Sequence, residues 1–191
     1  PRVLVQSTIV RRIVVDLRHE SLEIADAEGE GDEQEAATSP EAISARESYH
    51  RFWSEFLAKL RLDDREQPVR PAAKSTNQYF AMPKGSEAWV GAYLAQSFGR
   101  GGVYLTFSKG PIGDRLYAAL RDDREEIERA IGVPVEWESD GSKHWIVSGK
   151  NYSGSLIEDH AEELQATMAD RVNRFVNVFR PRLQKLVREM G

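Results

Sequence analysis

The chain has 191 residues and a net charge of −5, from 26 basic and 31 acidic side chains. It contains no cysteine, which excludes disulfides, thiolate metal sites and cysteine nucleophiles. Its apolar runs are only a few residues long and no secretory leader opens it, so we expect a protein of bacterial-type cytosol with no membrane span. A domain of this length buries about 70% of the surface that its open chain would expose.

The first 38 residues change composition abruptly. Residues 3–17 are rich in Val and Ile, which predicts one or two strands. Between residues 20 and 35 there are eight acids and no Lys or Arg, and such a run solvates itself and buries no core. We therefore predict an N-terminal strand arm (1–26), an acidic linker (27–38) and one domain (39–191). The sequence leaves open whether the chain is a fragment of a longer protein.

A helix is predicted to begin at Ser39. Ser39 can cap it, Pro40 suits its first position and Glu41 faces the positive end of its dipole. Behind this start, large apolar side chains recur at steps of three and four to about Leu62, which is typical of one buried helix face.

A β region follows the first helix. The predicted strands are 78–82, 88–96 and 102–108. The last two form a hairpin around a glycine-rich turn, where positive φ costs little. In the last strand Val103, Leu105 and Phe107 share one face, which we predict to point at the core.

A second helix is predicted from Pro111 to Ile131, with Gly132 as its C-terminal stop. A second hairpin, 135–138 and 144–148, comes next. Trp137 and Trp145 are predicted to pack as a cross-strand pair within it.

A long helix closes the chain, from about residue 155 or 158 to residue 189. Its apolar stripe spans about 26 residues, or roughly 39 Å at the rise of an α-helix. Pro181 lies inside the stripe and predicts a kink near Val178 and Phe179. Together these elements predict an α+β fold, an antiparallel sheet of about five strands from two hairpin regions packed by helices.

Motifs for catalysis are absent from the sequence. It has no phosphate-binding glycine loop, no metal-type histidine spacing and no nucleophile elbow around a serine. No lysine has an acid two positions before it, so the standard acid–lysine pair of restriction-type nucleases is missing. We predict no catalytic residue, no metal and no cofactor. Glu136 and Glu138, which face one side of a strand, leave open a metal site.

Two groups of residues are candidates for binding. Basic residues at loop ends of the sheet are candidates for contact with nucleic acid: Arg100, Lys109, Lys143 and Lys150. Apolar residues of the last helix are candidates for an interface with a second copy or another protein: Phe175, Phe179, Leu183 and Leu186. A basic helix with an apolar stripe is, however, most often a core helix with a solvated back.

The stretch from residue 77 onward resembles the family called domain of unknown function 4268. The likeness rests on the strand at 79–83, on the aromatic strand at 103–107, and on the block I-E-x-x-I-G-x-x-x-E-W-E at 127–138. A last helix ending in the motif at 179–183 completes it. Members often carry this domain behind a restriction-endonuclease-like nuclease domain, so the resemblance implies an accessory role linked to DNA and implies no catalytic residues.

Three hypotheses follow, in order. The first is an accessory or interaction domain of a DNA-processing or defence protein, with no catalysis of its own and with self-association as one mode of contact. The second is a nucleic-acid-binding module. The third is a metal-dependent nuclease built around Glu136, Glu138 and a neighbouring lysine such as Lys143.

Overall fold

The computed structural model describes residues 39–190. The predicted strand arm and acidic linker lie outside the described residues. By its contacts the chain divides into Pro1–Glu47 and Ser48–Gly191. Of the first unit, only the beginning of helix α1 is described.

Residues 39–190 form an α+β fold, as predicted. The helices are α1 (Pro40–Lys59), α2 (Pro111–Asp122), α3 (Arg124–Ile131) and α4 (Ala161–Met190). The strands are β1 (Asn77–Ala81), β2 (Ala88–Ala95), β3 (Arg100–Phe107), β4 (Glu136–Ser139) and β5 (His144–Asn151). They make one antiparallel sheet in the order β1-β2-β3-β5-β4. The two hairpins therefore join through the pairing of β3 with β5.

One face of the sheet carries the hydrophobic core. Val103, Leu105 and Phe107 are almost completely buried there, which confirms their predicted orientation. Opposite residues of neighbouring strands point to the same face, so a continuous apolar row crosses the sheet: Phe80, Val90, Leu105, Ile146 and Trp137.

The helices supply the other half of this core. In α1, the ring of Trp53 packs edge-on against Phe52 and Phe56, and its Nε1 donates to the carbonyl of Ser75 at 2.8 Å. The buried stripe of α4 runs from Leu164 to Leu183. Among the helices of residues 39–190, none has a segment apolar and long enough to cross a bilayer.

Two predicted helix ends are confirmed. The hydroxyl of Ser39 accepts a hydrogen bond from the backbone of Ala42 at 3.1 Å, which caps α1. Gly132 takes the left-handed conformation, with φ 68° and ψ 14°, and its N–H donates to the carbonyl of Glu128. The single helix predicted over residues 111–131 is in fact two helices. It is divided into α2 and α3 at Asp123, which has φ −95° and ψ 17°.

The predicted pair of Trp137 and Trp145 is wrong. Trp137 lies opposite Ile146 on the core face, whereas Trp145 lies opposite Glu138 on the other face. A register that differs by one residue moves a side chain across the sheet. The ring of Trp137 instead packs against Tyr117 of α2, with 6.0 Å between centroids.

Helix α4 begins later than predicted, at Ala161. A turn before it is held by Asp159, whose Oδ2 accepts from the backbone of Ser155 at 2.8 Å. Pro181 lies inside α4, and the helix continues beyond it to Met190.

Candidate functional site

The four predicted basic residues lie at opposite ends of the sheet. Arg100 begins β3 opposite Asn151, and Lys150 is the preceding residue of β5. Lys109 follows β3 and Lys143 precedes β5, so both lie at the other end. An eight-residue strand spans about 25 Å, so the four side chains do not form a single surface.

Lys109 and Lys143 have different surroundings at that end. Lys109 is exposed. The Nζ atom of Lys143 lies 5.8 Å from the ring centroid of Trp89 and 5.6 Å from that of Trp145, within cation–π distance of both. The aromatic contacts indicate a packing role for Lys143.

The other end carries a denser group of polar side chains, which we call the strand-end cluster. Its members are Tyr93, Arg100, Glu136, Lys150, Tyr152, Glu163 and Arg171. They come from four strands, the segment after β5 and helix α4.

Two glycines make the centre of the cluster. Gly102 lies opposite Tyr93, and Gly149 lies opposite Gly102, so this row of the sheet has no side chain on β3 or β5. A Cβ added to Gly149 would overlap the Nε of Arg100 and lie 2.6 Å from the hydroxyl of Tyr93. The bare backbone therefore lets both side chains lie directly on the sheet.

Arg100 crosses this glycine row to reach the edge strand. Its Nη2 donates to both carboxylate oxygens of Glu136, at 3.0 Å each. The guanidinium is 6% exposed and the carboxylate 44% exposed. The pair is thus buried on the arginine side and open to solvent on the glutamate side.

Several buried donors of the cluster have no acceptor. Among the described residues, the buried side-chain atoms without a hydrogen-bond partner include the hydroxyls of Tyr93 and Tyr152 and the Nε of Arg100. Burial raises the pKa of Tyr93 to about 12, so its hydroxyl keeps its proton at neutral pH and can donate. Leaving a buried polar group unpaired costs about 1–3 kcal/mol.

Arg171 adds a second guanidinium from α4. Its Nη1 donates to the carbonyl of Ser148 at 3.0 Å. Burial lowers the pKa of Arg171, and the charge of Arg100 acts in the same direction, while Tyr152 and Tyr93 oppose them. These opposing effects indicate that Arg171 lies within electrostatic range of the two tyrosines and of Arg100.

Lys150 and Glu163 form the exposed part of the cluster on the α4 side of the sheet, the face opposite to Arg100. Lys150 lies on this face since it pairs with Gly101, and that glycine faces Leu164 of α4. The Nζ of Lys150 contacts Oε1 of Glu163 and lies 5.2 Å from the ring centroid of Tyr152. Their hydrogen bond raises the pKa of Lys150 and lowers that of Glu163. The cluster therefore contains three cations and two carboxylates.

The basic residues of α4 beyond Arg171 are used differently. Arg174 pairs with Asp170 at 2.8 Å, Arg180 with Asp64 at 3.1 Å and Arg182 with Glu126 at 2.8 Å. These three arginines are therefore paired with acids of the same chain.

The four apolar interface candidates pack inside the chain. Phe175, Phe179 and Leu183 are completely buried in the core, and Leu186 is half-buried against it. Their burial gives no support to an interface, which stays a prediction.

The acids of the nuclease hypothesis share a sheet face but form no described metal site. Glu136 is bound by Arg100, as described above, and lies two residues before Glu138 on β4. Within residues 39–190, no group of three His, Asp or Glu side chains could hold an ion.

A separate open groove lies between α2 and the turn that joins β4 to β5. Its volume is about 520 Å³, and Arg121 and Ser139 are among its lining residues. The ring of His144 stacks on Tyr117 with centroids 4.3 Å apart, and its Nε2 lies 2.9 Å from Oδ1 of Asp114. These two contacts hold the histidine ring in place. Its other nitrogen, Nδ1, is buried without a hydrogen-bond partner.

Sequence reasoning named Arg100 and Lys150 as binding candidates and Glu136 as a candidate metal ligand. It did not select the other four cluster members as site residues: Tyr93, Tyr152, Glu163 and Arg171. A signal for the place was available in Gly149, because glycine inside a strand often marks a close approach of other groups. Nothing local to the chain indicated which side chains approach it.

A family model described as Domain of unknown function (DUF4268) matches residues 48–183. The match covers α1 from its ninth residue, the whole sheet and most of α4. No curated protein and no solved structure gives a significant match.

Proposed function

The chain belongs to the DUF4268 family, and from this premise we propose that it is a cytoplasmic accessory domain of a DNA-processing or defence protein. In this proposal the domain contributes binding and catalyses no reaction itself.

The observation that carries the proposal is the structural use of the acidic side chains. Glu136 holds Arg100, and Oε1 of Glu128 accepts from Arg124 at 2.6 Å and from Trp137 at 2.9 Å. Carboxylates engaged in this way position neighbouring elements. A general base or metal ligand needs free lone pairs directed at a substrate.

Asp63 is a further acid in a structural role. Its Oδ2 accepts from Asn173 at 2.9 Å and from Asn177 at 2.8 Å, which ties the loop after α1 to α4. These two hydrogen bonds lower the pKa of Asp63, so it stays ionised and engaged at neutral pH.

Nucleic-acid binding is the second candidate, and the strand-end cluster favours it. This end of the sheet carries Arg100, Lys150 and Arg171 with two carboxylates, and the Nε of Arg100 is buried without a hydrogen-bond partner. The residues from 39 onward contain as many acidic as basic side chains. Any binding of DNA must therefore depend on such a local cluster and weaken as salt screens it.

One experiment tests the proposal. The purified chain is incubated with fluorescent single- and double-stranded DNA, and binding and DNA length are followed with Mg²⁺ or Mn²⁺ present. We expect intact DNA, and binding that weakens steeply from about 50 to about 200 mM salt. Cleavage that is lost in Glu138→Ala would contradict an accessory role. Absence of binding at the lower salt would eliminate the nucleic-acid candidate.

A further inference from the structure

We infer that the strand-end cluster is a binding site for a phosphate group, which replaces the carboxylate of Glu136 on Arg100. The inference rests on the proposed binding function and names the chemical group that is bound. The group can be free phosphate or the terminal phosphate of a nucleic-acid strand, since both carry up to two negative charges and at least three non-ester oxygens.

The first argument is the supply of donors. Arg100 offers its Nε, which makes no hydrogen bond of good geometry although the hydroxyl of Tyr93 lies close to it, and its Nη2, which donates to Glu136. The protonated hydroxyl of Tyr93 lies beside it above Gly149. These donors lie on one face of the sheet within a few ångströms of one backbone position. A phosphate group has three strong acceptor oxygens and can use more of these donors than a carboxylate can.

The second argument is charge. The side chain of Arg100 is buried and is balanced by one carboxylate, that of Glu136, whose side chain is partly exposed. Arg171 of α4 adds a second positive charge at this end of the sheet, where its Nη1 donates to the carbonyl of Ser148, the residue before Gly149. The buried, low-dielectric surroundings of Arg100 strengthen the attraction between these cations and an anion. A dianion would therefore be favoured over the single charge of Glu136.

The third argument is the position of Glu136. It begins β4, a four-residue edge strand, and its backbone partner is Val147 of β5. Its exposed carboxylate can leave Arg100 by a rotation of its own side chain into solvent, with the sheet unchanged. Glu136 thus acts as an internal competitor that holds Arg100 in position when no phosphate is bound.

The test uses the whole chain and inorganic phosphate, followed by NMR of the arginine Nε–H signals. The Arg100 signal is assigned by its loss in Arg100→Gln. We expect this signal to shift saturably with phosphate and to shift little with acetate. Arg100→Gln, in which phosphate binding is followed by backbone amide signals instead, should weaken that binding about tenfold or more, because it removes charge-assisted hydrogen bonds.

The decisive variant is Glu136→Gln. If Glu136 competes with phosphate, this change should strengthen phosphate binding several-fold. If the pair is purely structural, the change should weaken binding or leave it unaltered, which would overturn the inference. Arg129→Gln is the matched control for Arg100→Gln, because Arg129 is an exposed arginine on α3, away from the cluster.

Two further measurements keep the outcome interpretable. Thermal unfolding checks each variant, and Tyr93→Phe, which removes one donor and keeps the ring, replaces Arg100→Gln if that variant fails to fold. A single-stranded oligonucleotide with a 5′-terminal phosphate forms the second arm. Oligonucleotide binding that Arg100→Gln does not change would overturn this inference and leave the proposed function standing. Binding of neither probe by the unaltered chain would overturn the inference and eliminate the nucleic-acid candidate as well.

Discussion

At the scale of single residues, Gly149 has the largest consequence for the candidate site. Its missing side chain lets Tyr93 and Arg100 lie on the sheet, where solvent cannot reach their polar atoms. Burial then determines the chemistry of both groups. The tyrosine keeps its proton to high pH, and the arginine depends on Glu136 for its partner.

The raised pKa of Tyr93 predicts a loss of stability at high pH. An exposed tyrosine in the unfolded chain titrates near pH 10, and the folded residue titrates near 12. Between these values the unfolded chain releases a proton that the folded chain keeps, so folding becomes less favourable as pH rises. The contribution of Tyr93 to the free energy of unfolding is therefore complete below about pH 10 and falls by about 3 kcal/mol by about pH 12.

Urea denaturation at about pH 9 and about pH 11 measures this effect. We expect the unaltered chain to lose more stability over this interval than Tyr93→Phe, which has no phenol to titrate at this position. Tyr79 and Tyr117, whose pKa values burial also raises, are present in both proteins and cancel in the comparison. Equal losses in the two proteins would contradict the prediction.

At the scale of elements, α4 shows how a local rule and a tertiary context differ. Proline in a helix interior removes one hydrogen bond and clashes with the preceding turn. The sequence therefore predicts a disturbance at Pro181. The kink near Val178 and Phe179 stays a prediction. The helix itself continues to Met190, and buried side chains on both sides of the proline, Val178, Phe179 and Leu183, hold it against the core.

Pro181→Ala tests the cost of this proline. Pro181 is exposed, so alanine restores the missing N–H donor to the carbonyl of Asn177 without creating a cavity. We expect the free energy of unfolding to rise by about 1–2 kcal/mol, after allowance for the greater freedom of the unfolded chain. Gln184→Ala, at an exposed position of the same helix, should change it by less than about 0.5 kcal/mol. Destabilisation by Pro181→Ala would show that the ring itself contributes packing.

The elements themselves were largely predictable. Three predictions rest on effects that extend over only a few residues, and the structure confirms all of them: the cap at Ser39, the buried face of Val103–Phe107 and the helix end at Gly132. The division at Asp123 was missed because its neighbours carry helix-favouring residues on both sides. The tryptophan pair was wrong because cross-strand register depends on the whole hairpin and not on the two side chains.

At the scale of the whole molecule, one core joins the helices to the sheet. Gln165 of α4 is buried and links this helix to α1: its side chain accepts from Lys59 at 2.8 Å and donates to the carbonyl of Phe52 at 3.2 Å. The stripe that suggested a partner interface belongs to this core. A core role and an interface role for these residues predict different results, because truncating a core residue lowers stability, whereas truncating an interface residue lowers the mass in solution.

Leu183→Ala supplies that test. Leu183 is completely buried within the chain, so its truncation should lower the free energy of unfolding by about 2–5 kcal/mol. Leu186→Ala, at a half-buried position one turn away, should cost less. Urea denaturation gives the stability and light scattering gives the mass in solution. A fall in mass with unchanged stability would show instead that Leu183 serves an interface.

The amino-acid sequence was sufficient for features that act at short range. Caps, breakers and the spacing of apolar side chains specify helices, hairpins and an α+β class, since their physical causes lie within one turn or one strand. Family membership also followed from short motifs along the chain, and the match over residues 48–183 confirms it.

Only the fold decided which residues meet. Strand β5 pairs with β3 while β4 lies at the edge, and this order brings Arg100 to Glu136, 36 residues further along the chain. The same folding brings Arg171 to Ser148 and His144 to Asp114. Such contacts depend on strand order, on register and on which neighbours lack a side chain. These are properties of the folded sheet as a whole, so no single segment encodes them.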